Sequence, residues 1–460
     1  MATDKCIGGH RVSLQEIRKS LKTQSLNSIR EILSDVRIED ALRAAEYEYR
    51  ERLVPPHATI FHMVSAAIWP EDSFEASWQI LWDAMVSRLP GAAGRSPSSG
   101  SVAKARKRVP LEAWERLFAS VVDWGQQLAK RGRDWRGLRV VLLDGTTVSM
   151  PDEPALFEEF GRGRSHGKRY KYPLARLVSL SLADSMFAIG YGLGRYDQGE
   201  WSLARPLLGH LKPGDLLIGD RHFAAAHYYA ELGARGIHFL TRAHQRLRVD
   251  RLKRVKVHNE DDFVAEVPIN PKNRRENPSL PETVTVRFIR AKVTIRGKRE
   301  TIWLATSLLD AARYPAADVA ALYARRWRIE TWFRQFKVDL GADVLRSKSP
   351  DGIRKEVAAR MVALDAIRVL ILRAADEHAV DPMRVSFVGA VRAILCFAAA
   401  MATSPIWQLR EIYAAMLTEI ASHIVPERLG RNEPRAIRRE RIHYPTLKTT
   451  RAEWRLKDAS

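Results

Sequence analysis

The sequence predicts an α/β chain in which helices cover a mixed sheet, with helical regions at both ends. Three observations predict it. Short apolar runs at 138–143 and 216–219 end in Asp144-Gly and Asp220-Arg, as buried central strands do. The runs 175–182 and 186–191 flank Ala-Asp-Ser as a hairpin, and strand, helix and strand follow one another from 216 to 241. The segments before residue 130 and after 350 instead repeat apolar residues at helical spacing.

In chain order, residues 11–50 read as helix, with Val12, Leu14, Ile17 and Leu21 on one stripe. Residues 58–85 are helical and apolar, broken at Trp69-Pro70-Glu71-Asp72. A Pro/Gly/Ser loop at 90–100 feeds a short basic helix at 101–108, and 110–123 forms another helix. Helix, turn and basic helix together suggest a helix-turn-helix with Lys104, Arg106, Lys107 and Arg108 toward DNA; a solvated basic helix in a bundle is the alternative. Residues 161–173, rich in Gly, Lys, Arg and Tyr, read as a loop. Residues 200–211 read as helix, 224–232 as another, and 237–241 as a strand. A basic stretch with alternating strands at 263–269, 283–289 and 293–296 interrupts this pattern, and 270–278 reads as a loop within it. A strand at 302–307 leads to a helix starting near Ala316, and 353–375, 385–402 and 406–424 are further helices. From Arg428 the chain is polar and basic, either a DNA-contacting arm or a solvated tail.

Composition narrows the partners. Lys and Arg number 75 against 54 Asp and Glu, a net charge of +21 that points to a polyanion, most commonly nucleic acid. No apolar run approaches the ~18 residues of a membrane span, and the first ten residues lack the apolar core of a signal peptide. Cys6 and Cys396 form no ligand pattern, so zinc ribbons and disulfide frameworks are not expected. The expectation is a reduced, soluble, cytoplasmic protein with no membrane partner.

The stretch from Tyr323 to Lys337 organises the chemistry. It has no Pro or Gly, and at about 100° per residue Tyr323, Arg326, Glu330 and Lys337 fall within roughly 60° of one another on a helix. One carboxylate thus sits on a cationic and aromatic face, as metal-assisted phosphodiester chemistry needs. A surface helix with Glu330 paired to Arg326 and Arg334 is the plainer alternative. Asp144 and Asp220 each close an apolar run, at the carboxyl end of a central strand where open sheets place active groups. Two such aspartates and a helical glutamate can hold two Mg²⁺ ions, or Mn²⁺, about 3.5–4 Å apart. His222, His227, His238 and His244 lie near the second aspartate without zinc-site spacing, and read as structural or DNA-contacting.

The spacing Tyr323-x2-Arg326-x3-Glu330-x6-Lys337 resembles the YREK signature of the insertion-sequence-four family of bacterial DDE transposases. Residues 144–152 resemble that family's first-aspartate motif, 216–221 its second, and 96–108 its N-terminal segment. The resemblance implies an RNase H-like mixed-sheet core with Asp144, Asp220 and Glu330 as the metal-binding triad, interrupted by a β-rich insertion. The implied division is a helical DNA-binding region at 1–130, core at 131–242, insertion at 243–304, core at 305–376, and C-terminal helices with a basic tail at 377–460. The implied activity is cleavage of both strands at the ends of a mobile element and joining of the 3′ ends to target DNA. The partners are then terminal inverted repeats, target DNA and a second copy of the chain, near the bacterial nucleoid. In relatives such as the transposon-five enzyme, excision passes through a DNA hairpin and a tryptophan takes up a flipped base. Trp303 matches that tryptophan, while Tyr323, Arg326, Lys337 and Arg221 match DNA-contacting positions. The sequence departs from the family at His222, where Gly or Glu is usual, and at Trp332. An RNase H-like nuclease without strand transfer and a domesticated DNA-binding regulator are the alternative readings.

Overall fold

Four aliphatic residues, Val140 to Leu143, are buried and start the central strand β1 (Val140–Ser149). The computed structural model describes residues 32–426 apart from 51, 53, 71–72, 87–95, 130–134, 166–167 and 296–297; the helix expected from residue 11 lies largely, and the basic tail wholly, outside them. Among the described residues, one sheet joins β1 to β2 (Arg162–Ser165), β3 (Lys168–Leu182), β4 (Ala188–Arg195), β5 (Leu216–Gly219), β6 (His238–Arg242), β7 (Lys253–Asn259), β8 (Asp262–Pro268), β9 (Thr283–Ile295) and β10 (Lys298–Thr306). The order is β2-β3-β1-β5-β6-β10-β9-β8-β7, with β4 also on β3. Strands β1, β5 and β6 run parallel, β3 is antiparallel to β1 and β4 antiparallel to β3, and β10 to β7 form an antiparallel meander. The meander hydrogen-bonds through β10 to β6, so the expected insertion extends the same sheet.

Some local readings change. Residues 161–173, expected as a loop, form β2 and the start of β3, because the two segments pair with each other. The expected loop at 270–278 contains a helical turn at Pro271–Glu276, where Asn270 Oδ1 accepts from Lys272 N and Pro271 occupies the first helical position. The expected helix at 200–211 turns 3₁₀ at Arg205–His210, where Pro206 has no N–H for the helical ladder. Strands expected separately at 283–289 and 293–296 are the single strand β9.

The helices in chain order are α1 (Asp35–Ala44), α2 (Pro56–Ile68), α3 (Phe74–Val86), α4 (Ser99–Arg108), α5 (Leu111–Ala129), α6 (Pro154–Phe160), α7 (Glu200–Ala204), α8 (Ala226–Ala234), α9 (Pro271–Glu276), α10 (Ala316–Ala324), α11 (Arg328–Arg334), α12 (Pro350–Glu377), α13 (Phe387–Thr403) and α14 (Leu409–Ser422). The 28-residue α12 is the pillar: capped by Ser349, it is buried along most of its length and touches α2, α5, α14 and β4. Burying each of its Leu, Ile and Val side chains is worth about 1.5–3 kcal/mol. Its Asp365 accepts from Ala188 N of β4 at 3.0 Å, fastening the pillar to the sheet.

A second fastening joins the meander to the signature helix. Arg287 on β9 is fully buried, donates to both oxygens of Asp262 at 2.7 and 2.6 Å, and donates to the carbonyls of Leu308 and Tyr314. Those carbonyls lie on the connection from β10 into α10. Removing the carboxylate leaves a buried guanidinium uncompensated, which typically costs about 3–5 kcal/mol. Asp262→Ala is therefore expected to lose about that much stability in urea unfolding; a loss under 1 kcal/mol would show that the ion pair does not hold the meander in place.

Candidate active site

Asp144 stands mid-strand in β1, and the strand's position in the sheet exposes it to chemistry. Pairing with β3 continues to Ser149, but parallel pairing with β5 ends at Leu142. Asp144 therefore lies just beyond the end of β5, and Asp220 follows β5 directly. The expectation of a strand end holds for Asp220; for Asp144 it is the neighbouring strand that ends. Asp220 Oδ1 accepts from His222 N at 2.7 Å, capping the 3₁₀ turn Arg221–Phe223.

The signature segment brings the remaining groups to this edge. It runs as α10, a 3₁₀ turn at Arg325–Trp327, α11 and a π turn at Gln335–Asp339, and so departs from the uninterrupted α-helix expected. Arg326 is nearly buried and bridges the acids: Nη1 lies 3.2 Å from Asp144 Oδ2 and Nη2 lies 3.6 Å from Glu330 Oε1. The Tyr323 hydroxyl is hydrogen-bonded to Arg326 and lies in the field of Asp220; burial raises its pKa. Lys337, within the π turn, pairs with Asp343 at 3.0 Å. Trp332 is fully buried and stacks on Phe336 at 5.5 Å, which makes this departure from the family a core residue.

Burial pushes the Asp144 carboxyl up to about 6; the Gly145 N–H and Arg326 oppose the rise, and Asp220 and Glu200 add to it. Glu200 is a site neighbour that the sequence reading missed. A Cβ on Gly145 would lie 2.8 Å from its carboxyl, so the glycine makes room for it, and Arg176 holds it at 2.7 Å. A glycine directly after Asp144 was the available signal. Among the described residues no three His, Cys, Asp or Glu side chains are grouped closely enough to hold a metal ion, and Arg326 contacts both Asp144 and Glu330. The donor chemistry itself, carboxylate oxygens only, suits Mg²⁺ or Mn²⁺.

The other expected contacts are spread over the molecule. Register pairs Gly219 with Thr241 and Thr241 with Ala305, so Leu304 is level with Asp220 and Trp303 lies one residue further along that edge. Two strand spacings put β10 about 10 Å from β5. Trp303 is half-buried and meets Phe263 edge-on at 5.5 Å, and Arg290 lies 6.0 Å from its ring. Arg221 is exposed and donates to Gln245 Oε1. On α4 Lys104 is exposed, but Arg108 donates to Val54 O and Arg106 lies over the Phe74 ring at 3.7 Å. These two arginines face the helical bundle, because neighbouring carbonyl and ring groups satisfy them there. His227 and His238 bond to Asn273 and Ser307, as structural histidines do.

A family model described as transposase DDE domain matches residues 135–365, and one described as insertion element 4 transposase N-terminal matches residues 23–119. Transposase InsG for insertion sequence element IS4 of Escherichia coli K12 is 25% identical over 75% of this chain and 78% of its own length. Putative transposase y4zB of Sinorhizobium fredii is 28% identical over 35% of this chain and 43% of its own. Among solved structures, the piggyBac transposase synaptic complex with hairpin DNA aligns over 89% of this chain and 87% of that one, at 9% identity and a TM-score of 0.45. No helix among the described residues is long and apolar enough to cross a membrane.

The raised Asp144 carboxyl makes a pH prediction. The folded chain holds this proton more tightly than the unfolded one, so stability falls as pH rises from about 4 through about 6 and stays lower above that. With chelator present, Asp144→Asn is expected to melt higher than the wild type at pH 8 and at the same temperature at pH 4. Adding Mg²⁺ at pH 8 should raise the wild-type melting temperature and leave Asp144→Asn unmoved. A wild type that melts above the variant at pH 8 in chelator would reject the desolvated carboxylate.

Proposed function

The chain belongs to the DDE transposases of the insertion-element-4 type and is a DNA transposase, and on that premise we propose that Asp144, Asp220 and Glu330 are its catalytic triad. The observation that carries the assignment is Arg326, which joins Asp144 of β1 to Glu330 of α11 at the edge where Asp220 emerges. The unit β4-β3-β1-β5-β6, antiparallel on one side and parallel on the other, supports reading the core as RNase H-like in two segments, 131–242 and 305–376. Residues 243–304 are then the insertion, 1–130 the end-binding region and 377–460 the C-terminal helices and tail.

The three carboxylates would hold two Mg²⁺ ions, with Mn²⁺ as substitute. When bound, the ions supply the Lewis acidity that activates the attacking oxygen and stabilises the leaving 3′ oxygen. This chain's own residues do the rest. Arg326 keeps the two outer carboxylates in register until phosphate arrives, and then offers its guanidinium to the phosphate beside the break. Tyr323 orients Arg326, and Lys337, poised on Asp343, reaches the flanking phosphate. After the first nick the free 3′-OH attacks the phosphodiester of the opposite strand, forming the hairpin and expelling the flanking DNA as a 3′-OH, while Trp303 stacks a base flipped from the strained end, worth about 1–3 kcal/mol. Two copies of the chain would bring the two element ends together.

Replacing Glu330 by Gln keeps the shape and removes a charge. Cleavage of element-end DNA in Mg²⁺ is expected to disappear in Glu330→Gln while binding in a gel-shift assay persists; cleavage near the wild-type rate would sink the triad. Trp303→Ala separates two further outcomes. As a base-stacking residue it should spare the first nick and lose the hairpin, with partial rescue by an abasic site at the flipped nucleotide. Equal loss of both steps, with a lowered melting temperature, would make Trp303 a packing residue against Phe263.

A further inference from the structure

Away from the acids, a cavity of about 370 Å³ opens between α4 and the start of α12. Its walls carry Arg106 and Lys107 from α4, Arg346 and Lys348 from the preceding loop, and Lys355 from α12, against the single carboxylate of Asp351. Several features hold these like charges together. Arg106 and Arg346 both lie over the Phe74 ring, at 3.7 and 5.6 Å; the Glu356 carboxylate attracts Arg106 more strongly than Arg346 repels it, and Arg346 donates to Pro70 O. Lys355, almost fully buried, has its ammonium on Lys107 O at 3.0 Å and Asp351 Oδ2 at 2.7 Å. Beneath the cavity, the buried Glu356 carboxylate accepts from the backbone N–H of Arg346 and Ser347 and pairs with Arg360 at 2.9 Å. It fixes the loop so that Arg346 and Lys348 line the opening. The helix terminus adds no vacant donor at Gly352, whose N–H Ser349 already takes.

Asp351 and Glu356 offset only part of the charge of the five lining cations, so the cavity stays net positive, and a phosphodiester is the anion this protein handles. We infer that the cavity is a subsite for a DNA backbone phosphate, separate from the acid site. The inference rests on the transposase reading and adds a second point of contact to it. The loop that lines the cavity also runs beside the catalytic strand: Ser149 N donates to Asp343 O at 3.0 Å, and Leu345 N donates to Ser149 O at 2.9 Å. Five residues of strand separate Asp144 from Ser149, about 17 Å, the axial rise of about five base pairs, and the cavity's Arg346 and Lys348 follow Leu345 in that loop. The cavity thus takes a phosphate several nucleotides from the break and fixes how far the DNA is fed into the acid site.

Lys107 and Lys348 are exposed at the rim, so Gln there removes charge without unpacking the bundle. The test compares Lys107→Gln/Lys348→Gln with a distant control of equal charge, Lys212→Gln/Lys272→Gln. Anisotropy with a 30-base-pair duplex is read over a range of KCl, and melting temperatures are checked in parallel. The cavity variant is expected to bind more weakly and to lower the magnitude of the log–log salt slope by about 2, while the control keeps the wild-type slope. Identical slopes for the two double variants would overturn the subsite. Mg²⁺-dependent nicking by the wild type is measured separately: absent nicking with distinct slopes would reject the triad and keep the subsite, and intact nicking with identical slopes would reject the subsite alone.

Discussion

Carboxylates drawn to one edge of a sheet repel one another, and in this chain a single guanidinium resolves the repulsion. Arg326 reaches Asp144 with one nitrogen and Glu330 with another, and so ties the central strand to the signature helix before any substrate is present. The arm to Asp144 is largely shielded from solvent, where charge–charge attraction is screened least, while Glu330 at the other end is exposed. Tyr323 hydrogen-bonds to Arg326 and lies in the field of Asp220, and Gly145 leaves room for the Glu200 carboxyl.

Two buried ion pairs carry that arrangement to the rest of the molecule. Arg287 with Asp262 pins the meander to the entry of α10, so the strands β7 to β10 and the signature helix share one anchor. Glu356 with Arg360 holds the loop after the signature helix, and Gly341 lets that loop approach Pro70, where a Cβ would collide at 2.5 Å. At Gly341 φ is +64°, a conformation that also favours glycine. The N-terminal helices, the signature helix and α12 therefore meet at one junction, and the cationic cavity opens beside it.

The local chemistry of the site was legible in one dimension. The apolar runs before Asp144 and Asp220 marked buried strands, although β1 runs on past Asp144 to Ser149. The spacing of Tyr323, Arg326 and Glu330 marked them as neighbours, although a 3₁₀ turn breaks the helix and leaves Tyr323 buried and Glu330 exposed. Both patterns depend on neighbours in sequence, so they survive without knowledge of the fold. The missed elements depend on pairing partners far away. Residues 161–173 look like a loop until β2 meets β3, and Glu200 looks like an ordinary helix start until Gly145 leaves space for it. The arginines of α4 looked like a DNA-facing stripe; Phe74 and Val54, distant in sequence, turn two of them inward.

What the sequence alone determined, then, was the class of chain, its polyanionic partner, and the acid and basic residues of its signature, because composition and periodicity act through bonded neighbours. Only the tertiary structure decided that Arg326 bridges two of the acids, that the β-rich segment continues the central sheet through β10, and that five cations from three segments line one cavity. The reason is physical. Charge pairing, strand registry and close glycine contacts act through space, and distance in space is set by the packing of the whole chain.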